Sequence, residues 1–129
     1  MRYLGVDLGL KRIGIAYSPD AKTVMPLRAI IRKNRNQASA QLREILSEWQ
    51  IGTLVIGIPI GGSSEEEMRR RVAHFLRLVD FQGEICYQDE SDSSLEAEAL
   101  LKGEMRYKRD GRVDSLSATV ILSRFLQKN

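Results

Sequence analysis

The hydrophobic period of this chain changes near residue 31, and that change does most to limit its fold. Before it, Leu4, Val6 and Leu8 alternate with other residues, and Ile13, Ile15 and Tyr17 do the same. A period of two marks strands with one buried face. Asp7 to Arg12 predicts the connection of a hairpin, with Gly9 taking an unusual backbone angle. A third strand is expected around Met25 to Ile31, which makes an antiparallel three-strand start. After it, Leu42, Ile45, Leu46 and Trp49 fall on one helical face. Thr53 to Ile58, TLVIGI, is a continuous apolar run of the kind a strand buried on both faces shows. Ser64 and Glu67 have capping-box spacing, and Met68, Val72, Phe75, Leu76 and Val79 mark the helix that follows. Glu84 to Tyr87 predicts a short strand. Ser93 and Glu96 make a second capping box, opening a helix to about Leu101. A basic loop spans Lys102 to Arg112, and a last helix runs from near Arg112 to about Gln127. The order βββ-α-β-α-β-α-α predicts an α/β fold, a mixed sheet flanked by helices.

At 129 residues and 43% hydrophobic, the chain has the size and core content of one domain, expected over residues 1–129. No apolar run approaches the roughly 20 residues of a membrane helix, and the first residues lack the pattern of a signal peptide, so a cytoplasmic protein with no membrane partner is expected. The single cysteine, Cys86, has no internal partner for a disulfide and reads as core packing. A net charge of +3 and a pI near 9.2 fit a phosphate-rich partner, since Lys and Arg displace counterions condensed on nucleic acid.

Three acids could do chemistry. Asp7 lies within an apolar strand, where a charge is costly unless paired or bound to metal; a turn-capping Asp is the alternative. Asp89-Glu90 follows a strand, at the carboxyl end where open α/β sheets bind ligands; stabilisation by a helix N-terminus is the alternative. Asp114 shares a helical stripe with Ala118, Ile121 and Phe125, which aims it at the core, while Ser115, Thr119 and Ser123 are expected on an exposed face. Three carboxylates from separate elements repel one another unless a cation gathers them, and hard oxygen ligands suit Mg2+ or Mn2+. Asp7, Glu90 and Asp114 are thus candidate metal ligands and catalytic residues for phosphodiester cleavage. His74 reads as a surface or core-edge residue, and no Ser-His-Asp set is evident. Candidate phosphate contacts are Lys11 and Arg12 beside Asp7, and Arg106, Lys108, Arg109 and Arg112 in a loop whose Tyr107 could stack on a base. That loop is expected to close as a flap over the backbone of the nucleic acid. Arg69, Arg70 and Arg71 read better as a solvated helix face, and Gly57 to Ser63 could turn backbone amides toward phosphate.

Four segments in order resemble the YqgF family, also called RuvX, which is described as Holliday junction resolvases of ribonuclease H-like fold. They are GVDLGLKRIGIA from Gly5, IGIPIGGSS from Ile56, DESDSSLEAEALL from Asp89 and GRVDSLSATVILSRFL from Gly111. The resemblance spans nearly the whole chain. It implies a nuclease with Asp7, Glu90 and Asp114 as an Mg2+-binding triad, acting on a DNA junction or maturing the precursor of small-subunit ribosomal RNA. A junction enzyme would need two sites for two symmetric cuts, hence a homodimer. Two departures bear on substrate grip. Ser91 stands where the family usually has Arg, and Asp92 where it usually has an apolar residue. The loop after Pro59 also looks shorter than usual. A non-catalytic nucleic-acid-binding module of the same fold is therefore one rival. A nucleotide phosphotransferase is another, disfavoured because such folds need two domains of this kind.

Overall fold

Five strands form one sheet, in the order β3-β2-β1-β4-β5, in the computed structural model, which describes residues 1–91 and 115–128. Strands β1 (Tyr3–Leu8), β2 (Arg12–Ser18) and β3 (Met25–Ile31) pair antiparallel, as the alternating pattern predicts. Strand β4 (Thr53–Ile58) joins β1 in parallel, with Val6 opposite Ile56, and β5 (Glu84–Asp89) joins β4 in parallel. All six residues of β4 are buried, as expected of a continuous apolar run between two neighbours. Helices α1 (Arg35–Glu48) and α2 (Glu65–Val79) cover one face, and α3 (Leu116–Lys128) covers the other.

The two faces differ in size for a reason legible in the strands. Leu4, Val6 and Leu8 of β1 join Ile13, Ile15 and Tyr17 of β2 and Leu54, Ile56 and Ile58 of β4 in a large core, closed by Leu42 and Leu46 of α1 and Val72, Phe75 and Val79 of α2. Most alternate residues of the same strands are small, Tyr3 beside Phe125 being an exception. Ala16 and Val55 pack with Ala118, Ile121 and Leu122 of α3. Gly5 and Gly57 let that helix approach closely. A Cβ on Gly5 would lie 2.7 Å from Leu122 Cβ and 3.1 Å from the Ala118 carbonyl oxygen, and one on Gly57 would lie 2.4 Å from Ile121 Cδ1.

Several local expectations are revised. Gly9 is not in the left-handed region; among the described residues Gly61, with φ of 84°, is the only such glycine. Gly9 is needed for space instead, because a Cβ there would stand 2.5 Å from the Arg12 carbonyl oxygen that its own N–H bonds at 3.0 Å. Ser64 does precede α2, but with φ −95° and ψ 1° its hydroxyl makes no capping bond. Among the described residues a capping box is present on α1, where the Asn34 side chain accepts from Gln37 N and the Gln37 side chain accepts from the Asn34 backbone. Strand β5 runs two residues beyond the predicted end, since its parallel pairing continues to Ile58 opposite Asp89. Cys86 is only half-buried, because β5 is the edge strand. Ser115 and Thr119 are buried rather than exposed, facing the sheet on the same stripe as Ala118 and Leu122. The predicted helix from Ser93, the basic loop from Lys102 and the start of the last helix at Arg112 lie outside the described residues.

Gly5→Ala is expected to destabilise the protein by about 1–3 kcal/mol, because the new methyl meets a helix backbone that cannot yield without leaving the sheet. Gly62→Ala, whose Cβ would find only the Pro59 carbonyl oxygen at 3.7 Å, is the control and should change stability little. Urea denaturation of both variants checks this.

Candidate active site

The carboxyl ends of β1, β4 and β5 all point the same way, because these strands are parallel. Asp7 is the penultimate residue of β1, opposite Gly14 of β2. Its neighbours Val6 and Leu8 are claimed by the large core, so alternation turns Asp7 to the face that carries α3. Glu90 comes directly after β5, and its backbone N–H donates to the Ile58 carbonyl at 2.9 Å. Its Cβ would sit 3.2 Å from a Cβ on Gly57, so the glycine also opens room for this side chain.

The Asp7 and Glu90 carboxyl groups are hydrogen-bonded to each other. Both are half-buried. Burial pushes the Asp7 pKa up, against the opposing effect of the bond from Glu90. Burial is also the largest cause for Glu90, which is driven to about 7 with help from the Asp7 charge, the bond to Asp7 and the charge of Asp89. Below about pH 7 a proton on Glu90 relieves the repulsion between the two desolvated acids. Asp89 has the opposite environment. Its Oδ1 accepts from Ser91 N at 3.0 Å, Ser91 Oγ at 2.8 Å and Ile60 N at 3.2 Å, and the two Ser91 bonds lead in holding its pKa below the ordinary range. Of the acidic pair, then, Asp89 ties the loop and Glu90 faces Asp7.

Two residues that position the candidate site escaped the sequence reading. Arg124 of α3 donates from Nη1 to the carbonyl oxygens of Asp89, at 3.2 Å, and Ser91, at 2.7 Å. It brackets Glu90 from both sides and so fixes the loop that aims it. Ser115 Oγ accepts from Ile15 N at 3.0 Å in a buried contact, which pins the start of the last helix to β2. A usable signal for Ser115 was its position three and seven residues before Ala118 and Leu122 on one helical stripe; Arg124 had none.

The other predicted residues are distributed as follows. Lys11 and Arg12 are exposed at the turn after β1, at the same end of the sheet as Asp7. Asp114, Arg106, Lys108, Arg109 and Arg112 lie outside the described residues. Among the described residues no three His, Cys, Asp or Glu cluster as a metal site. Arg69 and Arg70 pair with Glu65 at 2.8 Å and Glu66 at 3.4 Å, one helical turn away, in keeping with a solvated face. His74 is exposed.

Comparison with known proteins decides the family. The model of "RuvX: Holliday junction resolvase" matches residues 1–128. The chain belongs to the RuvX family. A Sulfurimonas denitrificans relative named "Putative pre-16S rRNA nuclease" is 59% identical over 128 residues, covering 99% of this chain and 98% of the relative. A Campylobacter lari relative of the same name is 49% identical over 125 residues, 97% of each chain. Among solved structures, T. thermophilus RuvC in complex with a Holliday junction substrate superposes with a TM-score of 0.62 at 13% identity, over 99% of this chain and 94% of that one. The fowlpox virus Holliday junction resolvase gives 0.58 at 11% identity over both whole chains. At such low identity the structural likeness speaks for the ribonuclease H-like fold. Family membership makes this RuvX protein a nuclease acting on phosphodiester bonds of nucleic acid. Among the described residues no helix is long and apolar enough to cross a membrane.

The raised Glu90 pKa has a consequence for the metal-free protein. Between about 4.5 and about 7 the folded chain holds a proton on Glu90 that the unfolded chain has released, so this group's contribution to stability falls as pH rises through that window. Glu90→Gln, which cannot ionise, should remove that loss. The expected result is a wild-type melting temperature that drops more between pH 5 and pH 8 than that of the variant, measured in chelator by calorimetry.

Proposed function

We propose that this chain, as one ribonuclease H-like domain over residues 1–129, hydrolyses phosphodiester bonds in structured nucleic acid with Mg2+ or Mn2+ held by Asp7, Glu90 and Asp114. The observation that carries the reading is the hydrogen-bonded, half-buried pair of Asp7 and Glu90 at the carboxyl end of the sheet. The donor set fits a divalent ion. It is hard oxygen, desolvated, and its two charges cannot both form cheaply without a cation. Support for Asp114 comes from the next residue, Ser115, bonded to Ile15 of β2, one residue from the Gly14 that pairs with Asp7.

When bound, the metal supplies Lewis-acid stabilisation of the charge that develops on the phosphoryl oxygens. The protein's own residues do the rest. Asp7, on a strand with neighbours on both sides, would supply a rigid ligand. Glu90, which carries a proton below about pH 7, would have to be ionised to serve as a ligand, and Arg124 holds the loop around it in place. Lys11 and Arg12, with Arg106, Lys108, Arg109 and Arg112, contact phosphates and set the register of the substrate. The rival reading as a binding module rested on Ser91 in place of Arg. Ser91 caps Asp89, and Arg124 reaches the same loop from α3, so the end of β5 that carries Glu90 is ordered without the family arginine, although the phosphate contact that arginine would make is not replaced.

Precursor 16S ribosomal RNA is the first substrate to consider, because relatives identical at half or more of their positions over at least 95% of each chain carry that name. Such a substrate places the protein in the cytoplasm. The family description favours a second reading, a four-way DNA junction cut by a homodimer with two sites.

A cleavage panel with Mg2+, pairing four-way DNA junctions with precursor 16S RNA, tests the proposal. Wild type should cut at least one of them. Asp7→Asn should lose roughly 100-fold or more of that rate, since a metal site contributes several kcal/mol, while its circular dichroism is unchanged. An Asp7→Asn protein that cuts at the wild-type rate would sink the assignment.

A further inference from the structure

On the opposite face of the sheet from the carboxylate pair, three arginines lie near one another, with no ion pair to a carboxylate among the described residues. Arg32 directly follows β3. Its Nη1 donates to the Gly9 carbonyl at 2.8 Å, its backbone N–H donates to the Lys11 carbonyl at 2.9 Å, and its guanidinium lies 5.4 Å over the ring of Phe75 in α2. Arg71, one helical turn before Phe75, and Arg35, at the start of α1, are close enough for their charges to add to burial in weakening Arg32's hold on its proton. Arg35 Nη1 is 2.9 Å from His74 Nε2, which steers it toward α2.

Nothing described neutralises this group. The ion pairs of α2 use Arg69 and Arg70, and among the described residues Arg32, Arg35 and Arg71 have no carboxylate partner. The first turn of α1 carries no acidic residue, whereas that of α2 carries Glu65, Glu66 and Glu67. A face that serves only solubility spreads its charges or pairs them at one-turn spacing, as Arg69 and Arg70 do. Here like charges are brought together, and two of them are held in position by a carbonyl oxygen and an imidazole. That arrangement costs Coulomb energy unless an anion is present.

The position narrows the anion. Strands β1 and β3 end at the same edge of the sheet, since each is antiparallel to β2, so the arginines share an edge with Asp7. They flank it from the α1–α2 side, while Asp7 and Glu90 look toward α3. The turn from Gly9 to Lys11 lies between, with Lys11 on it and Arg12 opening β2 directly after. Guanidinium groups match phosphate oxygens with paired hydrogen bonds. We propose that Arg32, Arg35 and Arg71 form a second phosphate-backbone site, which holds a segment of nucleic acid away from the scissile bond. This rests on the nuclease reading for what happens at the first site, not for whether the second one binds. It gives a reason for a structured substrate. A duplex or branched molecule reaches both faces across the turn, and a short single strand occupies one.

The test is salt-titrated binding of a duplex-containing RNA and a four-way DNA junction in chelator, so that cleavage is suppressed. Arg35→Ala with Arg71→Ala leaves Arg32 and its contacts to Gly9 and Phe75 intact. It should weaken binding roughly tenfold and lower the slope of log affinity against log salt by up to about 0.9 per lost duplex contact. Arg69→Ala with Arg70→Ala, on the same helix but outside the cluster, should keep the wild-type slope. Matched melting temperatures show that all chains are folded. An unchanged slope in the Arg35/Arg71 variant overturns the proposal and leaves the cluster to an acidic protein partner. A protein that binds with the predicted slopes but cuts nothing would fail the nuclease reading while sustaining this one.

Discussion

Two carboxyl groups that would separate in water are held in contact at the end of β1 and β5, and much of the molecule can be read as what keeps them there. Asp7 cannot turn away, because the strand that carries it is paired on both sides and its flanking residues are committed to the opposite core. Glu90 cannot withdraw, because its amide is bonded to β4 and the carbonyls on either side of it are held by Arg124. The cost of the contact is met by a proton in the metal-free protein and would be met by a divalent cation in the working one.

The asymmetry of the two sheet faces follows from the same requirement. One face is filled with large aliphatic side chains and two helices, and supplies stability. The other carries glycine, alanine and valine beneath the middle of α3, with Tyr3 packed against Phe125 nearer its end, so that the helix lies close and its arginine reaches the acidic loop. The close approach therefore serves the site as much as the packing. A rigid floor of fully buried β4 beneath the pair keeps the geometry from relaxing when the charges change.

The fold was legible where packing speaks through periodicity. The three N-terminal strands, the buried β4 run and the apolar stripe of α2 lie where alternation and helical spacing put them. Asp7 stood out because a charge inside an apolar strand needs a partner, and Glu90 because it follows a strand end; the two meet. What escaped was decided by contacts between distant residues. Ser115 reads as an exposed helical serine until β2 supplies the N–H it accepts. Arg124 is one basic residue among 20 until the loop carbonyls come within reach. Ser64 has the right spacing for a cap, but the preceding turn leaves its backbone outside the extended region that capping needs. Gly9 illustrates the same limit, since its role is set by a carbonyl across the turn and not by its own dihedral angle.

Membership in the RuvX family fixes the class of chemistry, and the Asp7–Glu90 pair is where we propose that it takes place. The most direct measurement of that claim is the proton count on Mn2+ binding, by isothermal calorimetry in buffers of different ionisation enthalpy. If the ion takes the place of the shared proton, binding at about pH 6 releases a proton that is no longer released well above the Glu90 pKa of about 7, and Glu90→Gln releases none. Mn2+ binding with no proton release at about pH 6, or with the same release in Glu90→Gln, would contradict the account.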